Sequence, residues 1–253
     1  MKAVLAACGR FLDKALSEQE DATALGLARA VYATVLLGVL LGHVGHIGEF
    51  FTDESVIAGR FARLAFPDHW SLFLPAQKGE EEAWYAIFYV EDAFWVRVIF
   101  ALGVLAHLLW IVGLFTRLAG LACFALWVSL FGRNPLLYAY PDHFLMGFAI
   151  LFMLMPCGRG FSLDAKWRGK GGTVPVWCRR LLQFQLALVY VVTGVKKSGK
   201  TWHEDGTAIY YTLTNPYNRH FDLSELLASV QPWLLRPLTY VVLAWEVAFA
   251  GFV

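Results

Sequence analysis

Six apolar runs constrain the fold of this chain more than any other feature. They lie at residues 25–45, 94–115, 118–131, 144–155, 181–195 and 238–253. The first two have the roughly 20 residues that a helix needs to cross about 30 Å of hydrocarbon, and the other four are shorter. The runs lack the polar–apolar alternation of a membrane barrel strand, so they predict helices. The sequence therefore predicts an all-α integral membrane protein, a polytopic bundle of about six transmembrane helices.

The composition supports this class and limits the partners. The 253 residues are 58% hydrophobic and 16% charged, whereas about a quarter of the residues in a soluble domain are charged. The net charge of +1 gives no reason to expect nucleic acid, and the predicted partner is the lipid bilayer. We expect an N-terminal arm over residues 1–21 and a transmembrane domain over 22–253. The chain stops inside its last apolar run, which is typical of a truncated span.

The charges in the connecting segments predict the orientation. The segment 157–180 contains one acidic residue, Asp164, and six basic residues: Arg159, Lys166, Arg168, Lys170, Arg179 and Arg180. By the positive-inside rule this segment is cytoplasmic, and so is the N-terminus. The segments 46–93, 132–143 and 196–237 then face the exterior, periplasm or lumen. In the first of them, the amphipathic stretch 56–66 and the aromatic-rich stretch 83–90 are predicted to lie in the outer interface.

Two adjacent lysines end the fifth apolar run on the predicted outer side. From Leu181 to Lys197 a helix rises about 24 Å, less than the hydrocarbon thickness, so Lys197 is expected at membrane depth. Helical spacing places Tyr190, Thr193 and Lys197 on one face and turns Lys196 about 100° away. Desolvation favours the neutral amine, the form that a general base needs. The alternative is that both lysines extend to the outer headgroups as anchors.

Other ionisable residues gather at the predicted outer ends of the spans. They are His43, His46, Asp92, Arg97, Arg133 and His143. The fourth run is short, so His143 is expected to be recessed from the same side as Lys197. Ionisable groups at membrane depth are candidates for function, and this clustering predicts a polar cavity that opens outward.

Three polar residues within the spans, and one histidine pair, have simpler interpretations. His107 is expected to be a hydrogen-bonded core histidine. Arg29 is expected to extend to the interface or to form a pair, with a role in helix packing rather than in chemistry. Glu246 is expected either to line the cavity or to pair with a buried arginine. His43 and His46 fit an interfacial pair better than a metal site, and the cysteines predict neither a metal site nor a disulfide.

Three short motifs resemble a known family. Gly194-Val-Lys-Lys197 is followed by Trp202 and then by Gly206. Asp142-His-Phe-Leu-Met-Gly147 is followed by Gly160-Phe-Ser-Leu-Asp164, and Arg180-Leu-Leu-Gln-Phe-Gln185 opens the fifth run. In this order they resemble the motifs of vitamin K-dependent gamma-glutamyl carboxylase, which belongs to the wider horizontally transferred transmembrane (HTTM) domain family.

The resemblance implies a chemistry. Lys197 would deprotonate a reduced quinone (vitamin K hydroquinone or menaquinol), His143 would assist, and Lys196 would act as a neighbouring charge. With O2 and CO2 as co-substrates, the enzyme would carboxylate glutamate in a secreted or membrane peptide by carbon–carbon lyase and epoxidase chemistry. Trp202 would pack at the mouth of the site. The further supporting candidates are Gly206, Tyr190, Thr193, Arg133 and Glu246. The alternative is a non-catalytic HTTM module that binds a lipid or quinone or helps a secreted peptide to mature.

Overall fold

A computed structural model describes residues 18–52, 55, 92–133, 140–169, 171–216 and 221–251. Within these ranges, the side chains of residues 132, 133, 140, 141, 143 and 250 are not described. Most of the predicted N-terminal arm and the two predicted interfacial stretches, 56–66 and 83–90, lie outside the described residues. The predictions made for them therefore stay predictions.

Helices account for most of the described chain. They are α1 (Thr23–His43), α2 (Ile47–Phe51), α3 (Ala93–Val112), α4 (Thr116–Arg133), α5 (Tyr140–Leu154), α6 (Leu163–Arg168), α7 (Trp177–Lys196), α8 (Lys200–His203), α9 (Ala208–Thr214), α10 (Ser224–Val230) and α11 (Arg236–Ala248). Short 3-10 turns lie at Val44–His46, Cys157–Arg159 and Phe249–Gly251, and a π turn lies at Gln231–Leu235. Each of the six apolar runs forms a helix where it is described, which confirms the helical class.

Three helical segments are long and apolar enough to cross a membrane: Thr23–Phe51, Ala93–Val112 and Ser224–Ala248. Thr116–Phe131 and Phe144–Leu154 are shorter apolar helices. The protein is therefore an integral membrane protein, while the count of six spans stays a prediction.

The last span begins earlier than its apolar run. Hydropathy places the start of the run at residue 238, but the helical segment begins at Ser224 and continues through the π turn. Pro232 and Pro237 lie near the starts of the π turn and of α11, where the hydrogen-bond pattern of the helix changes. Neither proline has an N–H to donate, yet the helical path continues through both.

The chain divides into two compact units, residues 1–179 and 180–253. In the first unit α1 packs on α3, and α3 packs on α4. The largest buried side chains of this core include Trp110 and Trp127. His107 is fully buried; its Nδ1 donates to the Gly103 carbonyl (2.7 Å), and its Nε2 accepts from Trp127 Nε1 (3.1 Å). This confirms the prediction of a hydrogen-bonded core histidine.

Arg29 does not extend to the interface. Its side chain is fully buried, and its guanidinium donates to the carbonyl oxygens of Phe161 (2.8 Å), Ile111 (3.3 Å) and Cys157 (3.4 Å). Ile111 lies in the last turn of α3, so the cation meets the negative end of that helix. Of the two alternatives for Arg29, extension to the interface is wrong. The side chain instead hydrogen-bonds main-chain carbonyls of two segments, which agrees with the predicted role in helix packing.

The same end of the first unit holds the first residues that the structure describes. Strand β1 (Gln19–Asp21) pairs antiparallel with β2 (Thr173–Pro175). The Arg179 Nε lies 2.8 Å from the Glu20 carboxylate. Gly26 on α1 meets Gly160 so closely that a Cβ on Gly26 would lie 1.9 Å from the Gly160 carbonyl oxygen. The N-terminal strand and the segment 157–176 therefore lie together, as one shared membrane side requires, while the side itself stays a prediction.

Candidate active site

The second unit contains a small polar cluster around Lys197. Helix α7 ends at Lys196, and the Lys197 N–H continues the helical pattern by donating to the Thr193 carbonyl (3.1 Å). Gly199 then adopts a positive φ of 114°, which turns the chain into α8. The His203 ring donates to the Lys197 carbonyl oxygen (2.7 Å). Hydrogen bonds therefore hold both the N–H and the carbonyl oxygen of Lys197.

The Lys197 side chain has two partners. Its Nζ forms an ion pair with Glu246 Oε1 on α11 and lies 4.5 Å from the centre of the Trp202 ring. The Lys197 side chain is 22% exposed and that of Glu246 is 13% exposed, so both charges are largely removed from solvent. Partial burial strengthens both the ion pair and the cation–π contact.

Glu246 has one carboxylate oxygen unused. Its Oε2 is buried and has no hydrogen-bond partner among the residues that the structure describes. A buried acceptor without a donor is costly, and in native proteins such atoms are rare. The free oxygen is therefore the part of the cluster best placed to accept a hydrogen bond from a bound molecule.

A close helix contact brings the ion pair together. A Cβ on Gly194 of α7 would lie 3.2 Å from Glu246 Cβ and from Val247 Cγ2, so glycine permits this approach. One turn earlier, the Tyr190 ring stacks on Phe249 with centroids 4.3 Å apart. The Thr193 hydroxyl donates back to the Val189 carbonyl oxygen (2.9 Å) and does not reach the ion pair.

The loop that carries Trp202 is held against α11. Gly206 has a φ of 64°, and a Cβ there would lie 2.6 Å from Arg236 Cγ. The Gly206 carbonyl accepts from the Thr239 hydroxyl, and the Glu204 carbonyl accepts from the Tyr240 hydroxyl, both at 2.9 Å. Gly206 therefore acts by permitting a tight loop, not by contacting the ion pair.

The predicted site residues divide into three groups. The structure brings Lys197, Trp202 and Glu246 together. Lys196 is exposed. His143 on α5 and Arg133 at the end of α4 belong to the first unit, and their side chains are outside the described set. Their approach to Lys197 stays a prediction.

Three of the remaining outer-end candidates have local partners, and the fourth, Arg97, is exposed. His43 Nδ1 lies 2.8 Å from the Val39 carbonyl oxygen, and His46 Nδ1 lies 2.9 Å from the Glu49 carboxylate. Asp92 caps α3 by accepting from the N–H groups of the next turn. Across the described ranges, no group of three His, Cys, Asp or Glu side chains is arranged to hold a metal ion.

Sequence reasoning missed two features. It expected Glu246 either to line the cavity or to pair with a buried arginine, and it did not identify the actual partner, Lys197. The glycine three residues before Lys197 was the one sequence signal of a close helix contact. Sequence reasoning also used Gly160–Asp164 only as part of a family resemblance and gave it no structural role, whereas Ser162 caps α6 and Asp164 caps α4. The Asp164 carboxylate accepts from the N–H groups of Phe115 (3.1 Å) and Thr116 (2.8 Å).

The long apolar helices define a helical integral membrane protein. Within it, the buried Arg29 joins chain segments of the first unit, and the polar cluster around Lys197 lies beside a span. A family comparison matches residues 83–252, which is 170 of the 253 residues, to the HTTM domain. The chain therefore belongs to the HTTM domain family. No curated protein and no solved structure matches the chain.

Proposed function

We propose that the protein is a quinol-dependent carboxylase-like enzyme, a lyase and oxygenase that uses a reduced quinone (vitamin K hydroquinone or menaquinol), O2 and CO2 to carboxylate glutamate in a peptide. Membership of the HTTM family and the resemblance to the gamma-glutamyl carboxylase motifs support the reaction class. The observation that carries the proposal is the cluster of Lys197, Glu246 and Trp202.

The cluster fits a reduced quinone chemically. Such a molecule has an aromatic ring with hydroxyl groups at opposite edges. The Trp202 indole offers a flat apolar surface, and the Glu246 Oε2 offers a buried acceptor without a donor. When bound, the reduced quinone supplies the electrons for O2 and the driving force for removing a γ-proton of glutamate.

The ion pair places an acceptor beside the proton that the Lys197 ammonium must lose. Lys197 can act as a base only after its ammonium loses a proton, and Glu246 Oε1 is in direct contact with Nζ. In the proposed step that proton moves to Glu246 and leaves a neutral amine beside a neutral acid. The amine then takes a hydroxyl proton from the substrate, while Trp202 and the loop to Gly206 limit access of water.

Turnover of a defined quinol tests the proposal. Purified protein in lipid nanodiscs is incubated with vitamin K hydroquinone or menaquinol and O2, with and without a glutamyl peptide and labelled bicarbonate. We expect oxidised quinone product in all cases and label in the peptide where it is present. Quinol consumption equal to that of empty nanodiscs would contradict the proposal.

The ion pair also favours a second candidate function. Lys197 and Glu246 join α7 to α11, and this contact by itself could serve a non-catalytic module that binds a lipid or quinone or assists peptide maturation. Such a module predicts saturable binding of the oxidised quinone with no turnover of the reduced form. The same nanodisc preparation distinguishes the two candidates.

A further inference from the structure

A basic pocket lies in the first unit, where α4 begins and the chain leaves α5. Its volume is about 540 Å³. It is lined by residues 115–118, by residues 155–159, and by Asp164 and Arg168. We call it the basic pocket. The polar cluster around Lys197 belongs to the second unit, so this is a separate feature.

The charges around the basic pocket are mostly positive. Arg117, Arg159 and Arg168 line it and are exposed. Behind its wall, the buried Arg29 donates to the carbonyl oxygen of the lining residue Cys157. Asp164 is the only acidic residue of the lining, against three lining guanidinium groups.

That carboxylate is already engaged. Burial works against the charged form of Asp164, but hydrogen bonds from Thr116 and Phe115 and the charge of Arg168 outweigh it and hold the pKa below its usual value. Asp164 is therefore ionised and committed to the N-terminus of α4. The exposed Arg117, Arg159 and Arg168 therefore give the basic pocket a net positive charge.

The edge of the basic pocket is apolar. Leu118 is 68% exposed and Phe115 is 52% exposed, and both lie at the start of α4, a helix of a membrane protein. Exposed Leu and Phe side chains at the end of such a helix are suited to contact acyl chains. Positive charge and apolar surface thus meet at one end of the unit, as they do where a protein contacts lipid headgroups.

We propose that the basic pocket binds the phosphate of an anionic glycerophospholipid, with the acyl chains lying along Phe115 and Leu118. Guanidinium groups match phosphate oxygens with paired N–H donors, and basic pockets beside membrane helices bind anionic headgroups. The cavity is larger than one phosphate needs and lies within the roughly 300–1,000 Å³ of ordinary ligand sites. The apolar edge favours a lipid over a free phosphate.

A matched pair of double variants tests the proposal. Arg117→Gln/Arg168→Gln removes two charges from the basic pocket and leaves Arg159, which also donates to the Thr173 carbonyl. Lys166→Gln/Arg180→Gln removes two charges from exposed positions that do not line it. Binding of phosphatidylglycerol and phosphatidylcholine to detergent-purified full-length protein is measured by native mass spectrometry, with Tm in phosphatidylcholine as the check on folding.

Each basic residue near anionic lipid contributes about 1 kcal/mol, or about fivefold in affinity. We therefore expect the pocket variant to lose about 25-fold in phosphatidylglycerol affinity, and the control variant less than about twofold. Unchanged selectivity for phosphatidylglycerol in the pocket variant, or equal losses in both variants, would overturn the proposal. So would binding of glycerol 3-phosphate as tight as binding of the lipid, because the site would then recognise a soluble anion.

Discussion

The two adjacent lysines differ in environment although they are neighbours in sequence. Lys196 is exposed, whereas Lys197 contacts Glu246 and Trp202. The sequence predicted this difference because helical spacing turns the two side chains about 100° apart. It did not identify the partner of Lys197, because the pairing joins residues 49 positions apart and depends on a glycine contact that hydropathy does not report.

Substitution of Lys197 separates a base from an anchor. Lys197→Ala is expected to reduce quinol oxidation at least about 100-fold, the lower range for loss of a general base. Lys197→Arg keeps the charge and can still meet Glu246 and Trp202, yet a guanidinium does not accept a proton at neutral pH, so we expect the same loss. Lys196→Ala is the control and should lose far less. An active, stable Lys197→Arg protein would show that the lysine only anchors the helix.

Substitution of the ion pair separates stability from activity. Glu246→Gln leaves the Lys197 ammonium without its carboxylate, so we expect a loss of about 1–3 kcal/mol in stability, seen as a lower Tm. The double variant Lys197→Met/Glu246→Leu replaces the pair with apolar side chains and is expected to recover most of that Tm. It should remain inactive in the quinol assay. Recovery of turnover together with Tm would assign the pair a structural role alone.

Helix positions followed from hydropathy, but the contacts between helices did not. Apolar runs mark helices because a buried or lipid-exposed helix must be apolar on nearly every face. The last span shows the limit: its helical segment begins at Ser224, fourteen residues before its apolar run. The helical path continues through a π turn and two prolines. This is a feature of backbone geometry, which average hydropathy does not encode.

The contact of α1 with the segment after α5 depends on glycine. In Gly26→Ala the added Cβ would meet the Gly160 carbonyl oxygen at 1.9 Å, a backbone atom that has little freedom to move. We expect a loss of about 1–3 kcal/mol or more, measured as a lower Tm in detergent. Gly38→Ala lies on the same helix with nothing within 4 Å and is the control. Equal Tm values for the two variants would contradict this packing.

The Asp164 cap makes the stability of the first unit depend on pH. Its pKa is lower in the folded protein than its ordinary value of 3.8, so its contribution is fully present above about pH 4 and is lost as the pH falls through the folded pKa. Asp164→Ala should lower Tm at pH 7, with a cost of about 1 kcal/mol or more. It should also flatten the fall in Tm below about pH 4. If Tm fell with acid in the variant as steeply as in the native protein, the Asp164 cap would be excluded as the cause of that fall.

At the scale of the whole molecule, hydropathy predicted an integral membrane protein, and the match to the HTTM domain assigns the family. Charge counting predicted that the N-terminus and segment 157–180 share one side, and the β1–β2 pairing joins Gln19–Asp21 to Thr173–Pro175. Which side of the membrane they face follows only from the positive-inside rule. The approach of His143 to Lys197 crosses from one unit to the other, and a sequence motif by itself fixes no such distance.

Cysteine labelling tests the orientation. In a background without native cysteines, Gly171→Cys and Asp205→Cys each place one thiol in a segment that the structure shows as exposed. We expect a membrane-impermeant maleimide added to intact cells to label residue 205 and not residue 171. After the cells are opened, both should react. Labelling of residue 171 from outside would reverse the orientation.

The buried Arg29 also bears on how the protein is made. It sits about 9 Å from the start of the first helix, so the ribosome delivers this charge early. Its acceptors follow 82, 128 and 132 residues later. At about 5–20 residues per second, the last of them emerges roughly 7–26 s after the arginine. Throughout that interval the insertion machinery, lipid headgroups or water must solvate the guanidinium, so assembly of this end of the first unit is complete only after most of the chain has been synthesised.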